Sequence, residues 1–394
     1  HIRLTGNITQ GLNWGGGLPI LNEWYHLAMT YDGQQLKFYV NGQLRNSKAV
    51  TGLLYVNNRD LSIGSDNNVQ KFFNGSIDEL KFFRRALDQT EIQTNFNQPG
   101  GLPDQDGDGV PDADDAYPHD PARAFNNYYP AVGFGSLVFE DLWPGKGDYD
   151  FNDLVLDFRF KTVTNADNKV SEVYATFVIR AIGAGLKNGF GFQFPGTSIQ
   201  GSDVEVAGFK TKENFINLNP NGTEAGQERI TVIVFDNVFK VMPSPGGFGV
   251  NTVPGNPYVK PDTTIVSILF KPNTYAMADI GVDQFNPFMI VNLDRGKEIH
   301  LTDNPPTSLV NQAYFKTGDD DSDPASGRYY KTKRNLPWAI RITSSYDYTN
   351  ETAQITSGHL KFAAWAESSG GQYPDWYLKI SGYRNESNIY QVPL

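Results

Sequence analysis

The acidic segment 98–121 (QPGGLPDQDGDGVPDADDAYPHDP) most constrains how this chain of 394 residues can fold. Pro, Gly and Asp dominate the segment, and it contains no hydrophobic period, which is typical of a linker. Because it offers no apolar face to bury, the chain must fold on either side of it. We therefore predict a domain over 1–97, a linker over 98–121 and a second domain over 122–394.

The acidic residues of the linker follow the ligand layout of an EF-hand-type calcium loop. Loop positions 1, 3, 5, 9 and 12 are occupied by Asp104, Asp106, Asp108, Asp112 and Asp115. Gly109 stands at the sixth position, where the loop turns sharply, and Val110 at the seventh offers its backbone carbonyl. Calcium takes about six to eight oxygen ligands, so this spacing predicts a Ca²⁺ site that stiffens the linker. The alternative is an acidic, solvated spacer.

The stretch DQDGDGVPDADDAYPHDP also resembles thrombospondin type 3 calcium repeats, which occur in bacterial surface proteins. No helix-coding sequence flanks the loop on both sides, so we expect a rigid calcium-bound linker rather than a calcium sensor. It further implies that Asp114 and Asp120 could serve an adjoining second ion.

Composition and short-range patterns predict an all-β protein. The chain has 26 Phe, 20 Tyr and 6 Trp with 39 Gly and 23 Pro, which favours many short strands joined by tight turns. In Gln35–Val40 apolar and polar residues alternate, and the Asn41-Gly42 pair that follows is a strong hairpin signal. Further strands are predicted at Tyr55–Ile63 and Ser76–Phe83, and a helix over Leu87–Phe96.

Beyond the linker, strand patterns continue to the end of the chain and predict one large β-sandwich-like domain. The predicted strands are Gly135–Phe139, Leu154–Phe160, Val173–Ile182, Ile230–Phe235, Ile265–Phe270, Phe288–Leu293, Ala339–Ile342 and Trp376–Ile380. A short helix is predicted over His359–Glu367.

The motifs EWYHLAMTYDGQQLKFYVNGQL, LSIGSD and FNGSIDELKFFRRALDQTEI resemble a laminin G-like (concanavalin A-like) jelly roll over residues 20–97. Only the later half of such a domain is present. The missing strands are either absent from this chain or supplied by another chain. The resemblance implies a fold that hosts lectins, adhesion modules and glycoside hydrolases, and the last class needs a pair of facing carboxylates that we do not find on one strand.

A second acidic motif, FEDLWPGKGDYDFND, precedes the strand that begins at Leu154. The strand turns its even-numbered residues inward, and the same phase carried backwards would bury Asp150 and Asn152. A bare carboxylate is costly to bury. Either the chain turns before residue 154, or a cation neutralises the group. We predict a second calcium site from Asp148, Asp150, Asn152 and Asp153, with an Asx-rich turn as the alternative.

The motifs GSLVFEDLWPGKGDYDFNDLVLDF, AIGAGLKNGFGFQF, NPFMIVNLDRGKEIHLTDNPPT and FAAWAESSGGQYPDWY resemble an LruC-type domain over residues 130–394. The resemblance implies a location in bacterial secreted and outer-surface proteins rather than a particular activity.

Three other groups have both a functional and a structural interpretation. The run Asp319–Asp323 is a solvated loop or a metal site. Glu298, His300 and Asp303 form a metal or acid–base site, or a hydrogen-bonded structural group, which we favour. Aromatic residues stack on sugars or fill the core: Trp338, Trp365, Trp376 and Tyr377.

Net charge, cysteine content, hydropathy and the motif search disfavour several classes of protein function. A net charge of -11 disfavours a nucleic-acid partner, and the absence of cysteine excludes disulfides and thiolate chemistry. No apolar run is long enough to span a membrane, and no catalytic motif is recognisable. We expect a non-catalytic, calcium-binding protein of the bacterial cell surface, acting in adhesion or matrix assembly, with self-association by strand complementation as one form. The alternative is a calcium-dependent glycan-binding lectin or an accessory part of a polysaccharide-degrading enzyme.

Overall fold

The computed structural model divides the chain into two units, His1–Asp114 and Asp115–Leu394. The residues that it describes are 2–4, 10–12, 20, 23–52, 63–64, 72–97 and 103–393. Both units are built mainly from antiparallel strands, which confirms the all-β prediction.

The described part of the first unit contains two small sheets and one helix. Its elements are β1 (Ile2–Leu4), β2 (Gln10–Leu12), β3 (Leu27–Tyr31), β4 (Gln35–Val40), β5 (Gln43–Ala49) and α1 (Gln89–Asn97). Strands β1 and β2 pair with each other, and β3, β4 and β5 form an antiparallel meander.

The central strand of the meander, β4, has buried residues on both of its faces. Leu36, Phe38 and Val40 on one face of β4 pack with Val50. Tyr39 on the opposite face packs with Leu87, which precedes α1, and with Ile92 of α1. The hairpin prediction is confirmed, since Asn41 and Gly42 have the positive φ angles, 50° and 73°, that a tight two-residue turn requires.

Two predictions for this unit have different outcomes. The helix predicted over Leu87–Phe96 is confirmed with slightly shifted ends. The strand predicted at Ser76–Phe83 is wrong: the segment forms no ladder in the described part of the chain, and Ile77, Leu80 and Phe82 are exposed. Alternation alone does not make a strand where no neighbouring strand accepts its hydrogen bonds. Most of the strand predicted at Tyr55–Ile63 lies outside the described residues.

The second unit contains a seven-stranded and a four-stranded antiparallel sheet. Its strands are β6 (Phe125–Tyr129), β7 (Gly135–Phe139), β8 (Leu154–Thr164), β9 (Val170–Ala181), β10 (Gly189–Gln193), β11 (Val204–Ala207), β12 (Thr231–Phe235), β13 (Asp262–Phe270), β14 (Asn286–Ile290), β15 (Glu298–His300) and β16 (Ala339–Ile342). The larger sheet has the order β11-β13-β9-β8-β7-β16, with β6 also paired to β8, and the smaller has the order β12-β10-β14-β15. Short helices follow some strands: α2 (Met277–Ile280), α3 (Ile355–Gly358) and α4 (Phe362–Glu367).

The two sheets pack face to face around an aromatic core, which makes this unit a β-sandwich. Phe160 and Phe177 of the larger sheet contact Phe192 of the smaller one at ring-centroid distances of 5.6 and 5.7 Å. The inward phase predicted for the strand after residue 154 is confirmed, since its even-numbered residues to Phe160 are fully buried.

A second apolar layer covers the outer face of the larger sheet. Val138, Val155 and Ile340 point away from the sandwich core and pack against Phe362 and Trp376 in the C-terminal segment. Strand β7 and the start of β8, Leu154–Leu156, are therefore buried on both faces, which explains why the sequences LVF and LVL are continuous apolar runs.

Most of the strand predictions for this unit are confirmed, two of them to the residue: Gly135–Phe139 and Ala339–Ile342. The strand predicted at Trp376–Ile380 is wrong, because these residues form turns in which Trp376 fills the outer apolar layer. Of the helix predicted over His359–Glu367, only Phe362–Glu367 is helical. Among the described residues, no helix is long and apolar enough to cross a membrane.

Candidate metal centre

The connection between β7 and β8 gathers acidic side chains at one end of the sandwich. Phe139 and Leu154 are paired at the last rung of the two strands. The residues just outside that rung, Glu140 and Asp153, are therefore neighbours although they are far apart along the chain. The N–H of Asp141 donates to Oδ2 of Asp153 at 2.7 Å and closes this end of the loop.

The backbone on either side of Asp150 is forced into an unusual conformation. Tyr149 and Phe151 have φ angles of 62° and 56°, in the left-handed region that residues other than glycine rarely adopt. Both side chains are buried in the outer apolar layer, and the Tyr149 hydroxyl donates to the carbonyl of Pro337 at 2.8 Å. This packing offsets the strain and fixes the direction of the Asp150 side chain between them.

Three carboxylates converge at this point. Glu140, Asp148 and Asp150 each offer an oxygen atom, and these atoms lie within 4.8 Å of one another. Glu140 and Asp150 are fully buried, whereas Asp148 is exposed. The group is a cluster of hard oxygen donors that is open to solvent on the Asp148 side.

Two buried oxygen atoms in this region have no hydrogen-bond partner within the described residues: Oε2 of Glu140 and Oδ1 of Asn152. The other atoms of both side chains are well anchored. Oε1 of Glu140 accepts the N–H of Phe151, and Nδ2 of Asn152 donates to the carbonyl of Thr349 at 3.2 Å. A buried oxygen left without a donor is costly, and a cation is a common means of satisfying it.

The C-terminal segment closes the site from the other side. The Thr352 N–H donates to Oδ2 of Asp150 at 2.8 Å, and the Thr349 hydroxyl donates to the Asp150 carbonyl. The Oε2 atom of Glu351 is also buried without a hydrogen-bond partner in the described chain. Neither Glu140 nor Glu351 was predicted from the sequence to be a ligand. Glu351 lies about two hundred positions away from this loop, and only the tertiary fold brings it here.

The electrostatics show how unfavourable it is for these carboxyl groups to be ionised together. Burial raises the pKa of Glu140 well above its ordinary value, and the carboxylates of Asp153 and Asp150 raise it further. Burial and neighbouring carboxylates raise the pKa of Asp150 to about 8, and burial is the main cause that raises the pKa of Glu351 to about 7. The pKa of Asp153 is also raised well above its ordinary value, mainly by burial.

Within the described chain, no Lys or Arg nitrogen lies within ion-pair distance of the acidic side chains of this centre, which are Glu140, Asp141, Asp148, Asp150, Asp153 and Glu351. Buried carboxylates are normally paired or coordinate a metal. The donors are all oxygen atoms, which suits Ca²⁺ or Mg²⁺ rather than zinc or copper.

The four residues predicted to bind metal in this loop differ in where their side chains lie in the structure. Asp148 and Asp150 belong to the converging group. Asn152 is fully buried with a free oxygen atom, and Asp153 is buried beside Asp141 and Glu140. The alternative interpretation as an Asx-rich turn describes part of the same loop, since Oδ1 of Asp150 accepts the Asn152 N–H at 3.2 Å.

In the linker, the first three predicted ligands also converge. Asp104, Asp106 and Asp108 present oxygen atoms within 4.8 Å of one another. Asp104 accepts the N–H groups of Gly107 and Gly109 at 2.8 and 3.0 Å, which curls the loop.

Two of the later predicted ligands of the linker, Asp112 and Asp115, are not part of this converging group of carboxylates in the described structure. Both carboxylate oxygens of Asp112 accept hydrogen bonds from Gln105, at 2.8 Å each. The N–H of Val110 donates to Asp108. Asp115 belongs to the second unit, where its Oδ1 accepts the N–H of Tyr117 at 2.6 Å.

The other acidic candidates have structural partners. Asp320 is buried and accepts from the indole N–H of Trp143 at 3.1 Å and from Ser322, while Lys316 pairs with Asp323. Glu298 pairs with Arg295 at 2.6 Å, which agrees with the structural interpretation that we favoured.

The aromatic candidates differ in exposure. Trp338 and Trp376 are buried in apolar layers, and Trp365 and Tyr377 are partly buried against the outer one.

Fold and site together define a two-unit, β-rich protein with a buried acidic centre. The chain belongs to a family described as a domain of unknown function, DUF4842, whose model matches residues 168–377. Residues 2–93 match the concanavalin A-like lectin/glucanases superfamily, which supports the laminin G-like resemblance of the first unit. The resemblances to thrombospondin type 3 repeats and LruC-type domains stay predictions.

Among solved structures, the chain is similar to a protein described as a "Putative lipoprotein from Bacteroides ovatus". The sequences are 16% identical, the match covers 68% of this chain and 76% of that chain, and the TM-score is 0.49. No curated protein is significantly similar to the chain.

Proposed function

We propose that this chain is a non-catalytic, extracellular, calcium-binding protein of the bacterial cell surface that acts in adhesion or matrix assembly. The observation that carries the proposal is the converging group of carboxylates from Glu140, Asp148 and Asp150, of which Glu140 and Asp150 are fully buried and none has a cationic side-chain partner in the described structure. A divalent cation supplies the charge that this group lacks.

Calcium is the favoured ion, and its abundance suggests the compartment. It accepts irregular sets of oxygen ligands, whereas Mg²⁺ requires a nearly ideal octahedron. By analogy with extracellular modules we expect a Kd on the order of 10⁻⁴ M. Such a site is filled where calcium is plentiful, outside the cell, and is largely empty in the cytoplasm.

Thermal unfolding in calcium and in chelator tests the proposal. Calcium at about one hundred times its Kd stabilises the folded state by about 2.7 kcal/mol per site. We expect a clear rise in the Tm of the wild-type protein. Equal Tm values with and without calcium would contradict the proposal.

The variant Glu140→Gln sharpens the test because its effect should change sign. In chelator it removes one of several repelling charges and should raise the Tm, whereas in calcium it removes a ligand and should lower the Tm. Glu205→Gln is the matched control, since Glu205 is exposed on β11 and should change neither value appreciably.

Adhesion and assembly are proposed from the first unit. Its residues 2–93 match the concanavalin A-like lectin/glucanases superfamily. Neighbouring chains could complete each other's sheets by strand addition. Light scattering of the purified chain in millimolar calcium tests this form of the proposal, and a strictly monomeric protein would exclude it.

Glycan binding is the second candidate, favoured by the lectin superfamily match and by Trp24, whose side chain is 68% exposed. Aromatic faces commonly stack on sugar rings. A glycan array read with and without chelator tests it, together with Trp24→Ala. Silence across a broad array would count against this candidate.

A further inference from the structure

The outer face of the larger sheet is covered only in part. The C-terminal segment packs over β7, β16, the start of β8 and the end of β9. Away from that layer, the outward-facing residues in the middle of β8 and β9 are only partly buried, and Ile265 and Leu269 on β13 are exposed. We call this region the open face: the outward-facing residues of β6, of the middle of β8 and β9, and of β13.

A row of three side chains crosses the open face. Tyr128 on β6 is paired in register with Lys161 on β8, which is paired in turn with Tyr174 on β9. The ammonium group of Lys161 lies 4.3 Å from the ring centre of Tyr174. Arg159, the preceding outward-facing residue of β8, places its guanidinium carbon 4.4 Å from the ring centre of Tyr128. Cation–π attraction therefore holds two positive charges against two aromatic rings on one surface.

The two cations of this row have no acidic partner. Neither forms an ion pair among the described residues, and Nε of Arg159 is buried there without a hydrogen-bond acceptor. The acidic residues nearest to them on β8 and β9 are already paired, since Asp157 contacts Arg180 and Glu172 contacts Arg123, each at 3.3 Å. In a chain with a net charge of -11, unpaired cations on an open face indicate an external anion.

The shape of the open face favours a polymer over a small molecule. Small-molecule sites are usually concave, whereas this surface is one face of an antiparallel sheet. Tyr128 and Tyr174 lie two strand spacings apart, about 10 Å, which is comparable to the length of a disaccharide. A polysaccharide offers ring faces that pack on tyrosines, and its acidic groups pair with the cations between them.

A nucleic acid fits this surface less well. A DNA duplex carries about one charge per 1.7 Å of its axis, which two cations do not match and which the acidic remainder of the protein repels. An acidic polysaccharide spaces its charges at least one sugar ring apart. Sparse cations interleaved with aromatic rings suit that spacing.

We propose that the open face binds an acidic polysaccharide. Arg159 and Lys161 pair with its carboxylate or sulfate groups, and Tyr128 and Tyr174 pack against its sugar rings. The inference rests on the proposed role in adhesion or matrix assembly and names the class of partner. It requires neither the acidic metal centre nor glycan binding through Trp24 of the first unit.

Binding to immobilised polysaccharides tests the proposal. The full chain in millimolar calcium is passed over dextran sulfate, hyaluronan and neutral dextran. We expect it to bind at least one of the two acidic polymers and not neutral dextran, with an affinity that falls as the salt concentration rises. The two acidic polymers distinguish sulfate from carboxylate as the recognised group.

A double variant and a matched control locate the binding surface. Arg159→Gln with Lys161→Gln should weaken binding about five- to tenfold, which corresponds to the loss of two solvent-exposed ion pairs. Lys212→Gln with Lys333→Gln removes the same charge from two exposed loop lysines outside the open face and should leave the affinity unchanged. Equal Tm values of the three proteins in calcium exclude a folding defect as the cause.

Chemical labelling of the wild-type chain avoids dependence on variants. The bound acidic polymer should slow acetylation of the Lys161 amine several-fold and leave that of Lys212 unchanged. Equal labelling of Lys161 with and without polymer would overturn the proposal.

The remaining outcomes separate this inference from the proposed calcium binding. Neutral dextran or poly-glutamate bound as tightly as the acidic polysaccharides would overturn the inference, and so would equal affinity of the double variant and the wild-type protein. Failure to bind either acidic polymer would also overturn it. Calcium binding is judged separately, from the rise in Tm without any polymer.

Discussion

At the scale of single residues, Gly183 determines where Asn152 can lie. A Cβ atom at Gly183 would stand 1.7 Å from Oδ1 of Asn152, whereas a Cβ at Gly185 would meet nothing closer than 3.7 Å. The Gly183 N–H also donates to the Asn152 carbonyl at 2.7 Å. Only a glycine at position 183, two residues after the end of β9, allows Asn152 to approach the backbone this closely.

We expect Gly183→Ala to displace the Asn152 side chain and weaken calcium binding. Overpacking of this kind costs about 1–3 kcal/mol. Chemical denaturation and calcium titration measure the two effects. Gly185→Ala is the matched control and should behave like the wild-type protein. Equal behaviour of both variants would show that Asn152 has room to move.

The raised pKa values of the acidic centre predict an unusual pH dependence for the metal-free protein. Burial and neighbouring carboxylates raise the pKa of Asp150 to about 8, and burial above all raises that of Glu351 to about 7. The folded state therefore holds protons that the unfolded chain releases near pH 4. Their stabilising effect is complete below about pH 4 and is lost as the pH rises through about 7 to 8.

We thus expect the Tm of metal-free protein to fall between about pH 5 and pH 8. Saturating calcium should remove most of this decline, because the ion replaces the protons. Differential scanning fluorimetry in chelator-treated buffers measures both curves. Parallel curves would contradict the assignment of the cation to this centre.

At the scale of elements, the linker loop is organised by its own acidic residues. Asp104, Asp106 and Asp108 present oxygen atoms within 4.8 Å of one another, and carboxylates this close repel one another, so removal of calcium should loosen the loop. We expect chelator to increase protease cleavage within residues 98–121 at temperatures where both units remain folded. Equal resistance in calcium and in chelator would exclude a stiffening role.

The variant Asp106→Asn separates the linker from the other acidic centre. It should make the linker protease-sensitive even in calcium while leaving the calcium-dependent Tm of the second unit unchanged. Asp319→Asn is a control for a general charge effect, since Asp319 is exposed in another loop.

The segment after β16 packs on the larger sheet and is also hydrogen-bonded to residues of the acidic centre. The N–H of Thr352 and the hydroxyl of Thr349 both donate to Asp150, and the Ile355 N–H at the start of α3 donates to the carbonyl of Tyr149. We expect calcium removal to increase hydrogen exchange in residues 346–366 before it does so in β8 and β9. Uniform exchange across the unit would contradict this order.

At the scale of the whole molecule, local patterns predicted the elements whose partners are close in sequence or whose burial is strong. The Asn41-Gly42 hairpin is one case, and the inward phase from Leu154 to Phe160 is another. Predictions were wrong where a strand-like pattern has no partner strand among the described residues, as at Ser76–Phe83, or where the residues form turns that fill an apolar layer, as at Trp376.

The acidic centre likewise contains residues that could be predicted as a group from the sequence and residues that only the tertiary fold brings to it. Asp148 and Asp150 are adjacent in a motif and could be predicted as a group from their spacing. The inclusion of Glu140 depends on the register that pairs Phe139 with Leu154. The contacts of Thr349 and Thr352 depend on a segment that returns to the site from a distance of about two hundred residues.

The sequence by itself determined that the chain is all-β, that an acidic linker divides it, and that two segments are rich in hard oxygen donors. Those properties follow from alternation, composition and spacing, which are local. Only the tertiary structure decided which carboxylates are buried, which of the described oxygen atoms lack a hydrogen donor, and that the Asp141 N–H bonds to the Asp153 carboxylate. Burial and contact depend on strand register and on distant segments, and these set the electrostatic free energy that calls for a cation.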